Sequence, residues 1–196
     1  MEHSNIEELL RGSLIIPSVS NMEHLKFAVE KTKFPCVMVK MGDLNNIGTI
    51  VHYIHKAEKR VLLHIDSIKG ISRDKAGFHY LKRIGVDAVI TMKSQNIRMI
   101  KEEGMIAILG TFLVDSASIN LTIQNIHSNK PDAIVAMPMT IPEEVYGKLK
   151  DCSRVPILAG GLGVNGDIVD QVLNAGVCAC AVTDRQVYLP YEGRER

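Results

Sequence analysis

The chain of 196 residues is built from one repeated unit, a short apolar run followed by a longer amphipathic segment. Eight apolar runs occupy residues 13–17, 36–40, 61–65, 87–91, 105–109, 132–136, 155–159 and 177–182. Their starts lie 18 to 27 residues apart, which is the length of a strand, a helix and two short loops. Because the runs are almost continuously apolar, they are typical of parallel strands buried on both faces.

The segments between the runs show helical periodicity and helix-ending signals. Ile119, Ile123 and Ile126 recur at the spacing of one helix face. Gly85 and Gly176 each stand between such a segment and the next run, where a left-handed residue commonly ends a helix. Eight strand–helix units predict an α/β fold, a compact (β/α)8 TIM-type barrel whose truncated last helix has about one or two turns within 184–189. A doubly wound open sheet is the alternative.

The length of the chain suits one domain. We predict a single barrel domain over residues 13–189. An N-terminal segment, 1–12, precedes it, and residues 5–10 there can form a short helix that closes the bottom of the barrel. Residues 190–196 are expected to form a flexible C-terminal tail.

Composition excludes several classes of protein. Lys and Arg number 23 against 22 Asp and Glu, which disfavours a strongly basic nucleic-acid binder but leaves a local basic patch open. No apolar run reaches the roughly 20 residues that cross a bilayer, and the polar start lacks a signal-peptide pattern. We therefore expect a cytoplasmic protein without membrane contact. Cys36, Cys152, Cys178 and Cys180 form no CxxC pair and are expected to be reduced.

The sequence predicts a phosphate site where the last two strands end. Gly160, Gly161 and Leu162 follow the seventh run, and Thr183 follows the eighth. Loops after these two strands commonly bind phosphate in such barrels, because glycines let backbone N–H groups approach the anion and a helix N-terminus adds a favourable partial charge. A tight turn that requires positive φ is the alternative interpretation.

Polar residues at the other strand ends are candidates for further ligand contacts. His64 and Asp66 stand two positions apart, so both side chains would face the mouth of the barrel, where they can bind hydroxyls, act as acid and base, or contribute to a metal site. Lys40 and Lys93 can neutralise a phosphate or, as the alternative, form a Schiff base. We predict no catalytic residue, metal site or cofactor. The predicted ligand contacts are Pro17, Lys40, His64, Asp66, Thr91 and Lys93.

Five motifs together resemble the glycerol-3-phosphate-responsive antiterminator family, the regulators of glycerol uptake operons. They are LHIDSIKG at 63–70, AVITMK at 88–93, FLVDS at 112–116, KPDAI at 130–134 and PILAGGL at 156–162, in family order. The resemblance covers roughly residues 13–189. It implies a compact barrel, glycerol-3-phosphate or a related phosphorylated molecule as effector, and binding to a leader mRNA that prevents termination. Formation of a homo-oligomer stays open.

The chain departs from that family at four positions. Gly110 stands where the family usually has Arg, and Val135 and Met139 replace a Glu and a Gly. Asp184 replaces the Ser that usually ends the last strand. We expect all four positions to lie near the effector, and we therefore expect a weaker response to glycerol-3-phosphate or a preference for another anion. The alternatives are a barrel enzyme acting on a small phosphorylated substrate, such as an isomerase, lyase or phosphodiesterase, and a non-catalytic binding barrel.

Overall fold

The computed structural model describes residues 6–163 and 165–195, and it confirms the predicted barrel. Eight parallel strands follow one another in chain order, and the last pairs with the first to close the sheet. The strands are β1 (Ile15–Val19), β2 (Cys36–Val39), β3 (Arg60–His64), β4 (Ala88–Thr91), β5 (Ile106–Phe112), β6 (Ala133–Met137), β7 (Ile157–Gly160) and β8 (Ala179–Val182).

Helices connect the strands on the outside of the barrel. They are α2 (Met22–Glu30), α3 (Ile47–Lys56), α4 (Lys75–Arg83), α5 (Asn96–Glu102), α6 (Ser116–Asn129), α7 (Glu143–Cys152) and α8 (Gly166–Asn174), with α1 (Ile6–Leu10) before the first strand and α9 (Arg185–Tyr188) after the last. The last helix has four residues, as the truncation predicted. No helix within the described residues combines the length and the apolar character needed to cross a bilayer.

Side chains on the strands divide into two hydrophobic clusters because successive residues point to opposite faces of a sheet. The inner cluster includes Ile16, Met38 and Leu62 and fills the barrel. The outer cluster includes Ile15, Val37 and Leu63 and packs beneath the helices. This division decides which residues at the strand ends can face the mouth of the barrel.

The short helix α1 belongs to the inner cluster. Its buried residues Ile6, Leu9 and Leu10 pack with strand residues that point into the barrel. Asn5, the first residue of the predicted helix, lies outside the described residues. The helix therefore covers the apolar interior at the end opposite to the predicted site.

Tyr191, which lies in the segment 190–196 that the sequence predicts to be a flexible tail, packs against the barrel. Tyr191 is buried, and its hydroxyl lies 2.7 Å from Asp170 Oδ1 and 3.0 Å from the Gly166 carbonyl oxygen. Glu195 forms an antiparallel bridge with Ser13. These contacts join the end of the chain to its beginning and to α8, which local sequence patterns do not reveal.

Candidate functional site

A cavity of about 890 Å³ opens at the carboxyl ends of the strands. Residues from seven of the eight strands, or directly after them, line it. In barrel order they include Ser18, Met38, Lys40, His64, Ile90, Val135, Met137, Gly160, Ala181 and Thr183. This is the end of the barrel at which TIM-type proteins bind their ligands.

The inward alternation of each strand explains which side chains reach the cavity. Ser18 follows Ile16 by two positions, Lys40 follows Met38, and His64 follows Leu62, where the three preceding residues belong to the inner cluster. Each polar side chain thus continues an inward-facing column beyond the apolar interior. The polar side chains at the mouth of the barrel therefore lie directly above the apolar side chains that fill its interior.

The structure brings six of the ten predicted site residues together. Lys40, His64 and Thr183 line the cavity, together with the turn of Gly160, Gly161 and Leu162. They come from β2, β3, β7 and β8, which places the predicted phosphate site and two candidate cations around one opening. Their role in binding a phosphate stays a prediction.

Two predicted residues, Pro17 and Thr91, point away from the cavity. Pro17 is buried within β1, because the strand continues to Val19 and the inward position belongs to Ser18. Thr91 is fully buried, and its hydroxyl oxygen accepts hydrogen bonds from Asn96 Nδ2 at 3.0 Å and from the Lys93 amide at 3.2 Å. Both side chains stand at positions of their strands that point outward, away from the barrel interior.

Asp66 and Lys93 also lie outside the cavity lining. Strand β3 ends at His64, and a 3₁₀ turn over Ile65–Ser67 follows, so the two-residue alternation does not carry Asp66 to the side of His64. Asp66 instead pairs with Arg73 Nε at 3.1 Å and accepts the Met92 amide at 2.7 Å. Lys93 is exposed beyond the end of β4. The predicted shared face of His64 and Asp66 is therefore not formed.

The glycine turn after β7 faces the cavity in a conformation that constrains its residues. Gly161 has φ +73° and Leu162 has φ +55°, so the tight turn considered as the alternative interpretation is present. A Cβ at position 163 would lie 2.8 Å from the sulfur of Met139, which is fully buried in the outer cluster and outside the cavity lining, so a larger residue there would displace that side chain. A Cβ at Gly160 would lie 3.2 Å from Val135 Cγ1 in the cavity wall, so the turn packs directly against that wall.

Burial disfavours the charged forms of two basic residues of the cavity, Lys40 and His64. Lys40 is partly buried, and this burial lowers its pKa. The pKa of His64 lies below its ordinary value of 6.5, chiefly because of burial; Asp66 opposes the shift, and Lys40 adds to it. The His64 Nδ1 atom lies 3.2 Å from the Ser67 hydroxyl. A bound anion would favour the charged forms of both residues.

Asp184, which replaces a family hydroxyl residue, is engaged with the backbone. Its carboxylate accepts the Gln186 amide at 2.9 Å and caps α9. The neighbouring Arg185 pairs with Glu23 and lies 4.7 Å from the centre of the Phe27 ring. The cap reduces the freedom of the carboxylate to turn toward a bound phosphate.

Two cavity residues that are not among the predicted ligand contacts carry buried, unsatisfied polar atoms. Within the described residues, Ser18 Oγ and His24 Nδ1 are buried and have no hydrogen-bond partner. Ser18 is identifiable from the two-residue alternation once the end of β1 is known. His24 lies on α2, and no local pattern connects it with the cavity. Unpaired buried polar atoms are costly and indicate a missing partner.

The replaced position Gly110 is enclosed by methionines. A Cβ there would lie 2.5 Å from the Met92 sulfur and 3.4 Å from Met137 Cε. A long charged side chain at this position would therefore displace Met92. The β4–β6 side of the barrel mouth is apolar as a result.

The described residues contain no group of three or more His, Cys, Asp or Glu side chains placed to hold a metal ion. The polar atoms around the cavity are a serine, a threonine, two histidines, a lysine, Asp184 to Gln186 and the backbone of the glycine turn. This set suits hydrogen bonding to a polar or anionic organic molecule.

Comparison with known proteins agrees with this architecture. A family model described as "Glycerol-3-phosphate responsive antiterminator" matches residues 15–188. The chain is 29% identical over 181 residues to the uncharacterized protein YgcP of Escherichia coli (strain K12), covering 92% of this chain and 94% of that protein.

Two solved structures are similar over nearly the whole chain. The glycerol uptake operon antiterminator regulatory protein of Listeria monocytogenes str. 4b F2365 has a TM-score of 0.83 and 27% identity, covering 89% of this chain and 94% of that one. The antiterminator-related protein of Thermotoga maritima MSB8 has a TM-score of 0.81 and 21% identity, covering 90% and 98%, and shares the fold.

Proposed function

The chain belongs to the glycerol-3-phosphate responsive antiterminator family, and from this premise we propose that it is an effector-sensing regulator of transcription antitermination. Membership supports a regulatory role in glycerol uptake. In our proposal the cavity binds glycerol-3-phosphate or a similar phosphorylated molecule, and the occupied protein binds a leader mRNA.

One observation carries the proposal, namely the convergence of the predicted phosphate residues with two basic side chains. The turn of Gly160 to Leu162 and Thr183 lie around the same cavity as Lys40 and His64. A phosphate between these groups would receive backbone and hydroxyl hydrogen bonds and would meet positive charge. Burial disfavours the charged forms of Lys40 and His64, and a bound anion would favour them.

A basic segment beside the cavity supports contact with RNA. Residues 66–83 contain five Lys or Arg residues against two Asp, although the whole chain is nearly neutral. Arg73 pairs with Asp66, which follows His64 by two positions, so this segment begins at the rim of the cavity. Phosphate contacts with Lys and Arg supply most of the non-specific affinity for RNA.

The enzyme alternative receives less support from the cavity. Among its described lining residues the carboxylate is Asp184, which caps α9. Asp66, the other candidate acid or base, is held by Arg73 and the Met92 amide outside the cavity lining. An acid and a base on opposite sides of a bound substrate are therefore not provided by carboxylates here, which favours binding over catalysis.

Titration of the leader RNA of the regulated operon, with and without glycerol-3-phosphate at fixed salt, tests the proposal. The effector must bind the RNA-competent form more tightly, because a ligand without differential affinity shifts no equilibrium. We expect RNA affinity to rise about 5- to 150-fold. Equal affinities would remove the effector role, and absence of RNA binding in both arms would favour the enzyme or the binding barrel.

The salt dependence of RNA affinity locates the contact surface. Replacing exposed Lys69 and Lys75 with Ala should lower the slope of log affinity against log salt by about one for each lost phosphate contact. Lys148→Ala on α7, where the amine faces Asn120, is the matched control and should leave the slope unchanged. Equal slopes in all variants would place the RNA elsewhere.

A further inference from the structure

We propose that the effector is an organic phosphate monoester with an apolar body, bound across a cavity that is polar on one side and apolar on the other. The inference rests on the proposed function, since it assumes a phosphate at the turn after β7. The inference goes beyond the proposed function because it assigns a chemistry to the part of the ligand that is not phosphate.

The polar side of the cavity is one continuous arc of neighbouring strands. In barrel order it consists of Thr183 after β8, Ser18 on β1, Lys40 after β2 and His64 on β3. The glycine turn after β7 adjoins this arc at Thr183. An anionic group bound at the turn therefore has hydrogen-bonding side chains on one side of it.

Ser18 shows that the polar arc is built for a ligand rather than for the fold. Its side chain is almost fully buried, with 2% of the residue exposed, yet its hydroxyl has no partner among the described residues. The His24 Nδ1 atom, also in the cavity lining, is in the same position. A ligand that supplies hydrogen bonds to these two atoms would remove the cost of leaving them unpaired.

The apolar side of the cavity is the opposite group of strands. Ile90 on β4 and Val135 and Met137 on β6 line it, and Met38 lies deeper in the barrel. Met92 and Met137 also occupy the space above Gly110 on the strand between them. This wall offers no hydrogen-bonding side chain to a hydroxyl of the ligand, so a hydroxyl placed against it would lose its hydrogen bonds to water.

Size supports the same conclusion. The cavity volume of about 890 Å³ lies within the range that drug-sized ligands occupy. A three-carbon phosphate bound at the glycine turn would leave much of the apolar wall uncovered. An apolar body of ring size would cover it and would gain the free energy of leaving water.

Calorimetric titration with inorganic phosphate, glycerol-3-phosphate, phenyl phosphate and phenol tests the inference on the full chain. We expect phenyl phosphate to bind at least tenfold more tightly than glycerol-3-phosphate, and we expect no detectable heat from phenol, which lacks the anion. Glycerol-3-phosphate binding as tightly as phenyl phosphate would overturn the inference and leave the proposed function intact. Absence of binding by all three phosphates would overturn both.

Variants in the wall separate the apolar contact from the anion site. Val135 and Met137 pack against the glycine turn, so Ile90 on β4 is the residue to change. Ile90→Thr should weaken phenyl phosphate at least fivefold and leave inorganic phosphate within twofold. Ile90→Ala, which introduces no polar group, keeps the test available if the first variant folds poorly. Leu121→Gln on α6, where 57% of the leucine is exposed, is the control and should change neither affinity. Equal weakening of both anions by Ile90→Thr would contradict the apolar contact.

Discussion

Ser18 and Ser13 are two buried serines of the same strand region with opposite hydrogen-bonding states. The Ser13 hydroxyl donates to the Ile15 carbonyl at 2.8 Å, whereas the Ser18 hydroxyl has no partner within the described residues. A satisfied buried hydroxyl stabilises the fold, and an unsatisfied one destabilises it. The Ser13 hydroxyl therefore serves the fold, whereas the Ser18 hydroxyl is available to a ligand.

We predict that Ser18→Ala raises the free energy of unfolding of the free protein by about 1 kcal/mol, because it removes an unpaired buried hydroxyl. The same change should weaken binding of glycerol-3-phosphate or phenyl phosphate. Urea denaturation and calorimetric titration of the same preparation measure the two effects. Ser13→Ala, as the matched control, should destabilise the protein. A Ser18→Ala variant that is less stable than the parent would show that the hydroxyl serves the fold.

At this scale the sequence predicts the chemical types at the barrel mouth better than their orientation. Lys40, His64 and Thr183 reach the cavity, whereas Thr91 does not. The sequence predicts the first strand at 13–17, two residues before the observed Ile15–Val19, and it assigns a ligand contact to Pro17 rather than Ser18. Because both faces of these strands are buried, their apolar runs do not show which alternate residues point into the barrel.

Among the elements, the starts of the strands are tied together by aspartates. Asp87, just before β4, accepts the Val61 amide of β3 at 2.8 Å and pairs with Arg60 and His55. Asp132, just before β6, accepts the Ala107 amide of β5 at 2.9 Å. Each carboxylate satisfies a backbone N–H of the preceding strand and fixes the alignment of the pair.

We expect Asp87→Ala to lower the free energy of unfolding by about 2 kcal/mol, because the Val61 amide loses its partner in a mostly buried position. Asp74→Ala, which removes the N-cap of α4 to the Gly77 amide, is the comparison and should cost about 1 kcal/mol. Denaturant midpoints of the three proteins measure both changes. An Asp87→Ala variant as stable as the parent would contradict the role of this carboxylate.

The same elements show why helix and strand order was predictable and some contacts were not. The junctions Asp87-Ala88 and Cys178-Ala179 stand just before β4 and β8, but the hydrogen bond of Asp87 spans 26 positions, to the Val61 amide. The Cys178 amide likewise donates to the Ile157 carbonyl oxygen on the preceding strand. Tyr191 likewise binds Asp170 across 21 positions. Local periodicity in the sequence predicts where a helix or strand lies, whereas its hydrogen-bond partners depend on how the barrel closes.

For the whole molecule, the repeat of strand and helix was sufficient to predict the barrel. Eight units of similar length can bury every strand on both faces by closing the sheet, and β8 does pair with β1. The content of the mouth was less predictable, because β3 ends at His64 and carries Asp66 outside the cavity. The fold is specified by a pattern that recurs in every strand–helix unit, whereas the site depends on individual residues at the strand ends.

The final prediction concerns ligand binding and the stability of the whole barrel. The candidate site joins β7 and β8 to β1, β2 and β3, so the first and last strands contribute to one cavity. A ligand that binds only the folded protein, at 100 times its dissociation constant, should add about 2.7 kcal/mol to the free energy of unfolding. Lys40→Met removes one cation of the site; if binding becomes tenfold weaker, the same ligand concentration should add about 1.4 kcal/mol. Exposed Lys26→Met on α2 is the matched control and should retain the full stabilisation. Denaturant unfolding with phenyl phosphate and with glycerol-3-phosphate measures these values, and equal stabilisation of all three proteins would exclude Lys40 from the anion site.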